Sequence, residues 1–292
     1  NGIRIELAGG VGSVTNSGSI STAGANANGI QISNASNVVT LNNSGTIAAA
    51  GASNGIPVTG AAAITNSGTI CPSGISNGNC VASGTGSGNG IQIDNNANTN
   101  RTTITNASTG LIGAPTAANY AIYSAQQPGV DISNYGKIIA ASSSATAINF
   151  AGSTSGGSNN TVTLYGGSTL LGGINFNKGS TQETISFNGL TNASFNNTIT
   201  GLNIINASNS SNVLMNSTTG YELVSGKISV DGTSSLGIAG VIQDQTTPNA
   251  IASSIQKIGA GTLTLSAANT YTGGTSLNEG TIAVANNAAL GS

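Results

Sequence analysis

The chain has 292 residues, of which 5% are charged, with 6 Lys and Arg against 8 Asp and Glu for a net charge of −2. That balance leaves no electrostatic footprint for nucleic acid and no polybasic patch for a membrane surface. There is no His, which excludes the common Ser-His-Asp triad, and no apolar run reaches the roughly 18 residues of a membrane-spanning helix.

From the N-terminus two short motifs alternate. The first reads Asn1-Gly2-Ile3-Arg4-Ile5, then Asn28-Gly29-Ile30-Gln31-Ile32, Asn54-Gly55-Ile56-Pro57-Val58 and Asn89-Gly90-Ile91-Gln92-Ile93. Looser copies follow at Ala121-Ile122-Tyr123, Ala147-Ile148-Asn149-Phe150 and Gly173-Ile174-Asn175-Phe176. From Ile3 through Ile30, Ile56, Ile91, Ile122 and Ile148 to Ile174 the steps are 27, 26, 35, 31, 26 and 26 residues. The second motif is Val14-Thr15-Asn16-Ser17-Gly18-Ser19-Ile20, repeated from Leu41 to Ile47 and from Ile64 to Ile70. It returns in weaker form from Ile104 to Leu111 and from Ile132 to Ile138.

A fixed period of this size means one supersecondary unit stacked many times. Gly, Asn, Ser, Thr and Ala dominate and alone suggest disorder, but the phased apolar residues argue against it. Apolar alternation at period two predicts short strands, and the segments are too short and too rich in β-branched residues for helices. The expected fold is all-β, a right-handed parallel β-helix of about 11 coils, on the order of 50 Å long at the usual strand spacing. Asn16, Asn43, Asn66, Asn106 and Asn134 are expected to form a ladder of side-chain amides. The Gly after each of them is expected to supply a positive φ at the corner. The competing reading takes the Asn-Gly pairs as hairpin turns of an antiparallel sandwich, which does not account for the period.

Residues 1–176 read as regular coils and 177–256 as less regular ones, with strands expected near Ile185, Ile205, Leu214, Ile228 and Ile238. Cys71 and Cys80 lie in the longest period and read as a disulfide pinning a loop insertion, which points to an extracytoplasmic protein. With no second Cys pair and no His, metal binding is the poorer reading, and neither metal nor cofactor is expected. No signal peptide opens the sequence, which reads as a mature N-terminus or a fragment.

The last segment, 257–292, carries the most specific pattern. Lys257-Ile258-Gly259-Ala260-Gly261-Thr262-Leu263-Thr264-Leu265 leads to Asn269-Thr270-Tyr271-Thr272-Gly273-Gly274-Thr275 and on to Gly280-Thr281-Ile282. This closely resembles the passenger-associated transport repeat of type V autotransporters. The preceding Gly240-Val241-Ile242-Gln243-Asp244 is similar to the segment that leads into that repeat. The resemblance implies a β-helical passenger exported through a C-terminal β-barrel translocator, which is not in this sequence. It also implies display at the bacterial cell surface or secretion. Gly259, Gly261, Leu263, Leu265, Asn269, Tyr271, Gly273 and Gly274 match the repeat. In it Leu263 and Leu265 are expected to point inward, Gly273 and Gly274 to make a tight bend, and Tyr271 to serve as a corner cap or a binding aromatic.

Catalysis needs proton-transfer groups or an activated nucleophile. The candidates are Asp94 with Arg101 and Asp131 with Lys137, which read more simply as solvated turn residues. Scattered Thr-x-Thr pairs make a poor ice-binding array, and Asn-x-Ser/Thr triplets read as compositional. The expected function is therefore a non-catalytic adhesin that binds a host cell-surface protein or matrix. Self-association that aggregates cells and a polysaccharide-acting enzyme are the alternatives. Contact is expected at the insertions 71–89 and 95–103, through Ser73, Ile75, Asn77, Asn79, Asn96, Asn98 and Arg101.

Overall fold

The computed structural model describes residues 1–292 except 8–10, 25, 50–52, 77–78, 82–87, 95–98, 126–128, 152–158, 177–181 and 247–249. Among the described residues there are strands and turns but no helix, hence none long and apolar enough to cross a membrane. The fold is a parallel β-helix, and its residues fall into two compact units: Asn1–Ser158 with Gly167–Ile174, and Asn159–Gly166 with Asn175–Ser292.

In the first unit the sequence period becomes strand register. Ile3 pairs with Ile30, Ile56 with Ile91, Ile91 with Ile122 and Ile122 with Ile148, all in parallel. A second row runs Ile20, Ile47, Ile70, Ile112, Ile138, Leu170. A third runs Val14, Leu41, Ile64, Ile104, Ile132. From Ile30 to Ile138 the members of these three rows are at most 1% exposed, so they form a continuous aliphatic column. Each such side chain contributes about 1.5–3 kcal/mol relative to leaving it in water. Between the first and third rows the chain bends within single strands, Ile30–Asn43 and Ile56–Asn66, where the register shifts between Ser33 and Val38. Asn34 fills that bend: its Nδ2 donates to Ala61 O at 2.7 Å and its Oδ1 accepts from Ala61 N.

The corner glycines of the Asn-Ser-Gly motif do not supply positive φ, contrary to expectation. Gly18, Gly45 and Gly68 are absent from the left-handed region. At Gly45 and Gly68 the reason for Gly is proximity. A Cβ on Gly45 would lie 1.9 Å from Gly18 O, and one on Gly68 would lie 2.0 Å from Gly45 O. Stacked coils touch backbone to backbone there, and only a missing side chain lets them.

The second unit follows the same plan with different residues. Val162 pairs with Ile185, Ile185 with Ile205, Ile205 with Ile228 and Ile228 with Lys257. A second row runs Val213, Leu236, Leu263, Ile282, and beside it Phe195, Met215, Ile238, Leu265, Val284. Asn203 occupies a bend much as Asn34 does. Its Oδ1 accepts from Glu183 N at 3.0 Å, and its Nδ2 donates to Val224 O at 2.9 Å.

Candidate functional site

The five asparagines of the predicted ladder stand in one register. Asn16 Nδ2 donates to Asn43 Oδ1 at 2.8 Å, Asn43 to Asn66 at 2.8 Å, Asn66 to Asn106 at 2.9 Å and Asn106 to Asn134 at 2.9 Å. Each Nδ2 also reaches a backbone carbonyl of its own or the next corner, such as Gly68 O and Leu111 O for Asn66. The amides are buried, Asn66 completely, so the ladder satisfies corner carbonyls that water cannot reach.

Cys71 and Cys80 are disulfide-bonded with Cα atoms 5.6 Å apart. The bond ties Cys71, just before an antiparallel hairpin of Gly74–Ser76 with Asn79–Val81, to Cys80 on its second strand, where Cys80 pairs with Ile75. Both cysteines are buried, and Cys80 packs close to Gly113. Ser73 is 4% exposed, which turns its hydroxyl away from any surface partner. Of the other expected contact residues, Asn77, Asn96 and Asn98 lie outside the described residues, as do the side chains of Ile75 and Asn79.

The charge pairs differ from the sequence reading. Arg101 engages Asp131, with Nε–Oδ2 at 2.8 Å and Nη2–Oδ1 at 2.6 Å, rather than Asp94. The strands Thr102–Asn106 and Val130–Asn134 pair with Thr103 opposite Asp131, which brings the two charged groups together across one coil step. Asp94 instead accepts from Gln92 Nε2 at 2.9 Å. No group of three or more His, Cys, Asp or Glu among the described residues could hold a metal ion.

The C-terminal repeat builds the last coil of the second unit. Leu263 and Leu265 are fully buried on the strand Thr262–Leu265, while Thr262 and Thr264 are partly exposed. Asn269 locks the corner: its Oδ1 accepts from Ile242 N at 2.8 Å and its Nδ2 donates to Ala289 O at 2.6 Å. Tyr271 is fully buried and its hydroxyl bonds Thr275 Oγ1, the position of a cap rather than of a surface aromatic. Gly259 and Gly274 have φ of 76° and 82°. A Cβ on Gly261 would lie 2.1 Å from Asp231 O, and one on Gly273 would lie 2.5 Å from Ser253 O.

Several residues escape sequence reasoning. Lys257 is fully buried, and its ammonium donates to Ile258 O at 2.8 Å, Gly259 O at 2.6 Å and Glu279 O at 3.3 Å. Burial lowers its pKa, and the nearby charge of Glu279 opposes that shift. Glu183 is also fully buried, its carboxylate accepting from Asn160 N at 3.0 Å and Asn160 Nδ2 at 3.1 Å. A second asparagine row underlies the Asn-Gly-Ile motif. Asn28 Oδ1 accepts from Asn54 N, Asn54 Oδ1 from Asn89 N, and Asn89 Oδ1 from Tyr120 N. Tyr221 is buried with its oxygen accepting from Ser217 N at 3.0 Å, and burial pushes its hydroxyl up to about 12.

The chain is thus a β-solenoid whose last coil holds a buried Lys, an Asn corner and a Tyr cap. Residues 255–284 match the family described as passenger-associated-transport-repeat, and the C-terminal end of this chain is thereby that of an autotransporter passenger domain. Such passengers are secreted or surface-exposed, and they imply a C-terminal β-barrel translocator in the precursor. No curated protein and no solved structure matches the chain.

Proposed function

We propose that this chain is a non-catalytic binding passenger, an adhesin displayed on or released from the bacterial surface that contacts host cells. The observation that carries the reading is the transport repeat at 255–284, which ties the coils to export. Stacked coils give long, rigid side faces suited to extended contacts. The non-catalytic reading draws support from the lack of His in the sequence. It draws further support from the Arg101–Asp131 ion pair, which occupies two of the few charged side chains with each other.

The test is binding of fluorescently labelled chain to cultured human cells. Saturable binding that an excess of unlabelled chain displaces is the expected result. Absence of binding overturns the reading and leaves these coils as a stalk or export scaffold. A Cys71→Ser/Cys80→Ser variant run in parallel, with its fold checked by circular dichroism because both cysteines are buried, reports whether the pinned hairpin is the contact. Sedimentation of the chain at high concentration separates adhesion from self-association, which predicts oligomers.

A further inference from the structure

Four aromatic side chains are structural: Phe187 and Phe195 meet edge to face, and Tyr221 and Tyr271 are buried. Tyr120 and Tyr123 differ. Both are half-buried, on or beside the strand Ile122–Ser124, with ring centroids 5.8 Å apart and planes 23° from parallel. Ile122 on that strand is fully buried, so the alternation of the strand turns Tyr123 outward. The 5.8 Å separation and small interplanar angle make an offset-stacked pair, in which the rings cover each other only in part.

Polar groups frame the pair. Gln92 is the register partner of Tyr123 on one side and Asn149 on the other. Asn89 Nδ2 donates to Gln92 Oε1 at 2.9 Å, and Gln92 Nε2 donates to Asp94 Oδ1 at 2.9 Å. These bonds fix the Gln92 carboxamide beside the rings before anything binds, so little side-chain entropy remains to be lost.

We infer that the Tyr120–Tyr123 pair with Gln92 and Asp94 is a binding site for a neutral carbohydrate. A sugar ring has an apolar C–H face that covers an aromatic ring, and hydroxyls at its edge that both donate and accept. Asp94 accepts from such hydroxyls, and the tyrosine hydroxyls do both. The charge of the cluster decides against the other planar class. Single-stranded nucleic acid also stacks on tyrosines but needs a positive groove along its phosphates. The cluster of Asn89, Gln92, Asp94, Tyr120 and Tyr123 offers one carboxylate and no cation. An acidic glycan is disfavoured by the same carboxylate. This inference names the ligand class for the adhesive reading above and rests on it only for its biological setting.

The experiment is an array of neutral and acidic oligosaccharides probed with the intact chain, then titration of one bound neutral oligosaccharide by saturation-transfer NMR. The expected result is binding to neutral members that 0.5 M salt leaves unchanged, since no ion pair is involved. Tyr123→Ala is expected to weaken it about tenfold or more, as for a central aromatic anchor. Tyr123→Phe, which keeps the ring and the fold, retains most of the affinity, and Gln92→Ala loses part of it. No neutral oligosaccharide bound, binding that salt abolishes, or Tyr120→Ala and Tyr123→Ala variants that are folded and bind unchanged each overturn the site. Cell binding and array binding that both survive in Tyr123→Ala overturn the site but not the adhesin. Array binding without cell binding overturns the adhesin but not the site.

Discussion

Lys257 pairs in register with Ile228 and keeps its ammonium inside the coil, bound to the carbonyls of Ile258, Gly259 and Glu279. The preceding strands place Val162, Ile185 and Ile205 in that row, so one lysine interrupts an aliphatic column. Its stem continues the column while its three donors serve carbonyls of the last turn. Lys257→Met keeps the stem and removes the donors. It is expected to destabilise the last coil by about 1–3 kcal/mol, the usual cost of orphaned buried polar groups. Hydrogen exchange should then speed up in the strands Thr275–Leu277 and Thr281–Val284. Unchanged protection there would show that the ammonium adds nothing to the order of the coil.

Gly18 and Gly68 occupy equivalent corners with opposite demands. Around Gly18 a Cβ meets nothing within 4 Å, whereas on Gly68 it lies 2.0 Å from Gly45 O and 2.6 Å from Ser44 C. Gly18→Ala is therefore expected to change stability by no more than about 0.5 kcal/mol. Gly68→Ala forces two backbones apart and should cost about 3 kcal/mol or more. Urea denaturation of the two variants checks this, and similar midpoints would refute the account of close coil approach.

The ladder makes its own prediction. Asn66 accepts from Asn43 and donates to Asn106, with no exposed surface. Asn66→Ala removes the donor that serves the Asn106 oxygen and the Gly68 and Leu111 carbonyls, at about 1–3 kcal/mol for each group left unsatisfied. Asn16→Ala, at the end of the described ladder, loses one inter-side-chain bond and should cost less. Equal effects at the two positions would mean that the chain of amides is not cooperative.

How much of this was legible in the sequence follows from the geometry of parallel stacking. A fixed period places equivalent residues in register, so Ile3 to Ile148 and Asn16 to Asn134 could be read off directly. The second unit was harder because Ile185, Val213 and Leu236 keep the apolar alternation but lose the Asn-Gly marker that gives the phase. Lys257 was not legible as a core residue, since a charge in a strand ordinarily faces water and only the carbonyls around it reveal otherwise. The Arg101–Asp131 pair depends on where the insertion 95–103 returns the chain, and loop length does not encode that. The corner glycines were identified but for the wrong reason: sequence shows that a side chain is missing, not whether φ or proximity requires it.

Alkaline stability supplies a further prediction. Tyr221 titrates at about 12 in the folded chain against an ordinary value of 10.0, because burial disfavours the phenolate more than the Ser217 N–H favours it. The folded state therefore holds the proton longer than the unfolded state does. Between pH 10 and 12 the unfolded chain binds fewer protons, so stability, fully present below pH 10, falls as pH rises through that window. Two units correspond to roughly 3 kcal/mol at most. Burial raises Tyr271 in the same direction, so Tyr221→Phe should reduce the slope above pH 10 without removing it. The same substitution deletes the acceptor for Ser217 N and should cost about 1 kcal/mol at neutral pH. Denaturation midpoints of both proteins from pH 7 to 12 distinguish the two effects. Parallel curves would show that Tyr221 does not titrate with unfolding, and that its hydroxyl is better solvated than its place in the column indicates.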